Sequence, residues 1–80
     1  MNQLVGTRWH EQQSGSWILV GIVSNAIYAI VQPLGGSYEV RAGAPGAVAR
    51  WPVSALRPTL EDAKDAGDDL AYQLNMRAKT

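Results

Sequence analysis

Cysteine is absent from the 80 residues, and histidine occurs once, as His10. Disulfides and thiolate metal centres are therefore excluded. A lone imidazole builds neither a metal site nor a histidine-based relay. No charged residue occurs between Glu11 and Glu39. The apolar part of that window, Trp17 to Val31, is still too short for the ~20 residues of a membrane helix. It is broken by Ser24-Asn25 and rich in Ile and Val, which suits strands. The first residues, Met1 to Gly6, lack the basic start and apolar run of a signal peptide. A cytoplasmic location is the expectation, with no membrane partner. No dense basic cluster exists, so direct nucleic-acid binding is not expected. No glycine-rich turn is followed by Lys and a helix, as a phosphate loop requires. No serine has a plausible base and orienting acid. The chain is accordingly read as not an enzyme, with no catalytic residue, no metal and no cofactor.

The charges that are present are unevenly placed. Residues 1–58 hold four arginines (Arg8, Arg41, Arg50, Arg57) against Glu11 and Glu39, a net +2. Residues 59–80 hold five acids against three basic residues, a net −2. The length admits one domain over 1–80. Its parts are a β-meander over 7–53 and a helix over 59–77.

Thr7 to Gln12 predicts a short strand, and Ser14-Gly15-Ser16 a turn. Trp17 to Val23 predicts a strand, with Gly21 marking a bulge or a close approach. Ser24-Asn25 reads as a tight hairpin turn into a strand from Ala26 to Gln32. Pro33-Leu34-Gly35-Gly36 is a turn. Ser37 to Ala42 alternates, with Tyr38, Val40 and Ala42 on one side and Glu39 and Arg41 on the other. Gly43 to Gly46 is a further turn. Ala47 to Val53 is the last strand, with Ala47, Ala49, Trp51 and Val53 on one face. Pro52 puts it at an edge or ends it there. Trp9, Trp17 and Trp51 all fall on these strands, and core packing is the default for indole. His10 and Glu11 are adjacent on a strand, point to opposite faces and form no catalytic pair.

Thr59 caps a helix that Pro58 precedes. At ~100° per residue, Leu60, Ala63, Gly67, Leu70, Ala71 and Leu74 form one stripe. The small residues Ala63, Gly67 and Ala71 let such a helix lie close to a sheet. Gly67 costs about 1 kcal/mol of helix propensity, which a tight contact there would justify. Glu61, Asp65, Asp68 and Asp69 fall opposite, and Tyr72 and Met76 project among them. Three readings of this acidic side stand: a solvated face, a protein-binding face, or a divalent-cation site. Calcium loops converge their acids, whereas these spread around a helix. Tyr and Met are enriched where surfaces meet partners. The residues assigned to partner binding are therefore Glu61, Asp65, Asp68, Asp69, Tyr72 and Met76. An acidic face can also compete for a groove that holds nucleic acid, so nucleic-acid-binding proteins are among the candidate partners.

Two resemblances accompany this reading. The early Trp, the Ser-Gly-x-Trp turn, "YAIVQPLGGSYEVR" and "PTLEDAKDAGDDLA" resemble the small orphan proteins of phages and prophages. Those run as a β-meander followed by a "TLEEAK"-type helix. The resemblance implies a mobile-element accessory protein that binds a host factor, anti-defence proteins such as CRISPR inhibitors among them. It carries over no specific residue. The stretch "GGSYEVRAGAPGAVARWPVSALR" resembles the closing strands of type II plasmid dihydrofolate reductases, which are SH3-like barrels. Where that family reads Val-Gln-Ile-Tyr, this chain has Val48, Ala49, Arg50 and Trp51. The glutamine and tyrosine are missing, so the likeness implies a barrel and a ligand-binding module more than a reductase.

The fold expected is α+β: an antiparallel sheet of four to five strands with one C-terminal helix packed on it. The alternative is an SH3-like barrel plus C-terminal helix. The function expected is a small non-enzymatic accessory protein that binds a host protein through the acidic helix face. A structural homo-oligomer, as a homodimer through Trp17–Val31, is the alternative, beside the ligand-binding barrel.

Overall fold

The computed structural model describes residues 3–43 and 47–78, with side chains as far as Asn75. Residues 44–46 of the turn expected at Gly43 to Gly46, and the side chain of Met76, lie outside these described residues. Five strands, β1 (Thr7–Glu11), β2 (Trp17–Gly21), β3 (Ile27–Leu34), β4 (Ser37–Ala42) and β5 (Val53–Arg57), precede one helix, α1 (Leu60–Ala78). Each strand pairs antiparallel with the next, in the order β1-β2-β3-β4-β5. The architecture is α+β, as the sequence predicts. β1 and β5 are the two edges of an open sheet, not neighbours in a closed barrel.

Register sorts the side chains into rows that cross the sheet. Trp9, Leu19, Ala29 and Ala42 form one row, and Glu11, Trp17, Val31, Val40 and Ala55 the next. Both rows lie on the face that α1 covers. Leu19, Val31 and Val40 are its largest fully buried side chains. Ala63 and Ala71 of α1 are completely buried against them, with Leu60, Leu70 and Leu74 packed around. The predicted helix stripe is thus the contact surface. Removing a full set of Val or Leu side chains from water contributes about 1.5–3 kcal/mol each, which is what seats the helix.

The helix start follows its sequence signal. Thr59 Oγ1 accepts the Asp62 N–H at 3.2 Å, and the Thr59 carbonyl accepts from Ala63 at 3.0 Å. The Asp62 N–H, which has no partner inside the helix, is satisfied in this way, and the Ala63 bond is the first of the helix itself.

Three local expectations are corrected. β2 ends at Gly21, not Val23. Ile22 to Asn25 form the turn, closed by Gly21 N–H to the Ala26 carbonyl and Asn25 N–H to the Gly21 carbonyl, both 2.9 Å. Asn25 supplies the left-handed residue (φ 59°) that this longer loop requires. Ile22 and Val23 are consequently exposed, Val23 almost wholly, at 94%. Second, β3 runs on through Pro33 and Leu34. Only Gly35 and Gly36 make the turn, both at positive φ (53° and 85°), which matches the twist of a two-residue hairpin. The β2 ladder stops at Trp17↔Val31, short of Pro33.

Third, Ala47 to Val53 is not a strand. Val48–Arg50 form one 3₁₀ turn, and β5 begins only after Pro52. Trp51 sits between them, 4% exposed, against the backbone of Gly43. Arg41 Nη1 donates to the Trp51 carbonyl at 2.9 Å and so ties this segment to β4. Packing of one indole onto a residue without a side chain outweighs the strand propensity of a short alanine-rich run. β5 then lies at the edge, and it begins where the sequence had the last strand ending.

Candidate functional site

Glu61, Asp62 and Asp65 are exposed on α1. Asp69 and Tyr72 are half-buried. Asp68 departs from the expected face: it is 6% exposed and belongs to the packed interior, not to the acidic surface. Its Oδ1 accepts the Trp9 indole N–H at 3.2 Å, and its Oδ2 accepts from the Gln3 amide at 3.4 Å. Eight residues after Leu60, Asp68 sits about 80° around the helix, on its flank. β1 reaches that flank through Trp9. Gly67 makes the approach possible, because a Cβ there would lie 2.8 Å from Trp9 Cη2. The tight contact expected at Gly67 is therefore with Trp9.

Burial pushes the Asp68 carboxyl above its ordinary value. The negative charges of Asp65 and Asp69 push the same way, while the bonds from Trp9 and Gln3 oppose. Removing the carboxylate from water outweighs two donated hydrogen bonds.

Beside this group lies a cleft of about 300 Å³ lined by Gln3, Trp9, Glu61, Lys64, Asp65 and Asp68. Lys64 turns its ammonium over the Trp17 ring, 3.5 Å from the centroid. That contact occupies the one basic group of the cleft with an aromatic face. Glu61 and Asp65, one helical turn apart, remain at the rim. Among the described residues neither enters an ion pair. A larger notch of about 380 Å³ lies at the far end of the sheet, where Leu4, Gly21, Val23, Tyr28 and Asn75 meet. Among the described residues no Asp, Glu, Lys, Arg or His lines it.

Among the described residues no three His, Asp or Glu side chains converge to hold a metal ion. No described helix is long and apolar enough to cross a membrane. His10 and Glu11 are both exposed on β1, on opposite faces by register.

Of the face away from α1, the sequence singled out only the apolar Trp17–Val31 region, as a homodimer surface. His10, Ile18, Ile30, Arg41 and Val53 form one row across all five strands, with Gln32, Glu39 and Leu56 beside it. Ile18 is buried and Ile30 half-buried, while Val53 and Leu56 are exposed. Arg41 crosses this face and pairs with Glu39 at 3.4 Å. The alternation Tyr-Glu-Val-Arg in β4 puts both charges here, and the near-continuous apolarity of β2 and β3 supplies the rest.

No family model, curated protein or solved structure matches the chain.

Proposed function

We propose that this protein is a non-enzymatic binding module that presents the acidic side of α1 to a basic surface on another protein. The observation that carries the reading is the cleft edge: Glu61 and Asp65 stand exposed beside the Trp9 wall, without an ion-pair partner among the described residues. Carboxylates held this way favour steering and orientation of a cationic partner. Asp69 and Tyr72 extend the surface along the helix. Asp68 acts from beneath, by fixing Trp9. The likeness to phage and prophage orphan proteins supports a mobile-element accessory role, with a host protein as the target and inhibition of a nucleic-acid-binding factor as one form of it.

The test is affinity capture from a bacterial lysate with the natural chain and with Glu61→Lys/Asp65→Lys. Both substitutions are at exposed positions, so circular dichroism and the melting temperature stay within the small range of surface changes. Capture of one dominant protein, weakened at moderate salt and lost in the double variant, is the expected result. Equal capture by both chains overturns the reading.

A second reading has its own observation, the exposed Val53 and Leu56 beside half-buried Ile30 on the sheet face away from α1. It makes the protein a structural homodimer. Light scattering then gives twice the 8.6 kDa chain mass. Val53→Glu/Leu56→Glu restores the single-chain mass. A monomer at high concentration removes this reading and leaves the first intact.

A further inference from the structure

We infer that Asp68, Trp9 and Gln3 form a proton-operated latch that sets how firmly the amino-terminal segment is held against α1. The inference stands apart from the binding reading above, because it concerns an internal cluster.

The chemistry of the three groups differs. The Trp9 indole N–H is a donor only. The Gln3 amide can donate through nitrogen or, turned over, accept through oxygen. A neutral Asp68 is satisfied by both: one oxygen accepts from Trp9 while its O–H donates to the Gln3 carbonyl. An ionised Asp68 takes a donor at each oxygen, the arrangement seen at 3.2 and 3.4 Å. It then carries a charge into a site only 6% exposed. Two bonds of this length do not replace the hydration that a buried carboxylate loses. Opening the amino-terminal segment returns water to the carboxylate, since it withdraws the Gln3 amide that lies 3.4 Å from Oδ2.

The other charges around Asp68 favour the proton. On α1 they are Asp65 and Asp69, while Glu61 and Lys64, the latter over the Trp17 ring, line the adjoining cleft. On β1 the nearest charged residue on the same face is Glu11, two positions from Trp9. Gln3 to Thr7 contribute no charged side chain.

The sign follows from burial, which raises the folded-state value above that of the unfolded chain. The stabilisation is fully present below the unfolded carboxylate value of about 3.9. It is lost as pH rises through the higher folded value. Proton binding closes the latch, and proton loss loosens it.

The experiment is an NMR titration from acid to neutral pH that follows the Trp9 indole N–H. Amide exchange of Leu4 to Thr7, corrected for intrinsic rates, is read alongside. The expected result is one inflection above the ordinary carboxylate range, with exchange accelerating in step as pH rises. In Asp68→Asn the inflection vanishes and exchange stays slow, since the amide is neutral throughout. In Gln3→Met the Trp9 inflection persists, but exchange at Leu4 to Thr7 no longer follows it. A flat Trp9 signal, or the same inflection in Asp68→Asn, overturns the inference. So does an exchange rate that ignores the inflection in the natural chain.

Discussion

Trp9→Ala lowers the unfolding free energy by about 4 kcal/mol, from the cavity left by an indole and the loss of a donor to a buried carboxylate. A chain of this size has about 4–12 kcal/mol in total, so this single change brings it close to unfolding. The indole lies in the row with Leu19, Ala29 and Ala42 and fills the wedge between β1 and Gly67. Trp9→Phe separates the two contributions. It keeps most of the packing and removes only the N–H to Asp68 Oδ1. A cost of about 1.5–3 kcal/mol at neutral pH is expected, in line with a hydrogen bond to a charged group. The cost shrinks on acidification, because a neutral carboxyl is the weaker acceptor and the Trp9 bond favours the ionised form. Urea denaturation of both variants at neutral and mildly acid pH measures this. An equal cost for Trp9→Phe at both pH values would remove the hydrogen bond from the account.

Gly43→Ala is the second large effect, at about 3 kcal/mol, near the upper end for overpacking. The added carbon would lie 2.4 Å from Trp51 Cδ1 and 2.5 Å from Nε1. Those atoms belong to a rigid ring, so the indole must leave as a unit. Gly43 is not at positive φ, so the backbone itself accepts alanine and the whole effect comes from the contact. Displacing Trp51 also draws its carbonyl from Arg41 and frees that guanidinium from the 3₁₀ segment. A lower melting temperature with a red-shifted tryptophan emission is expected. Unchanged emission with unchanged stability would mean that the close approach is not a native contact.

The first effect lies at a contact between distant parts of the chain, and the second at a contact between the end of β4 and the nearby Trp51. The cores of β2, β3 and β4 were legible because strand alternation and β-branched runs are local signals. The acidic helix face was legible in outline: Glu61, Asp65 and Asp69 follow from 100° periodicity, and Tyr72 lies on the same side. Asp68 was misplaced because periodicity describes a helix in isolation. Its burial depends on Trp9, 59 residues earlier, reaching the flank of α1. Gly67 was the available signal. A helix-interior glycine beside an aspartate marked the point where a large side chain arrives, although nothing local says which one. The rest of the sheet face away from α1 was hidden for a related reason. Residues opposite one another across five strands are neighbours only once the register is fixed.

The sequence by itself determined the α+β class, the paired strands over 7–42, the Thr59 cap and the apolar stripe of α1. Each is a property of a few consecutive residues: side-chain alternation, turn glycines, a hydroxyl three residues before an N–H. Tertiary structure alone decided that Asp68 is interior, that Val48–Arg50 wind into a 3₁₀ turn, and that Ile22 and Val23 stand in a turn. It also set Ile30, Arg41 and Val53 side by side on the sheet face away from α1. These outcomes are set by what one indole or one ladder register brings together across the chain. For Asp68 the free energy of a long-range contact exceeded the local preference, and for the two turns contacts between nearby segments did so.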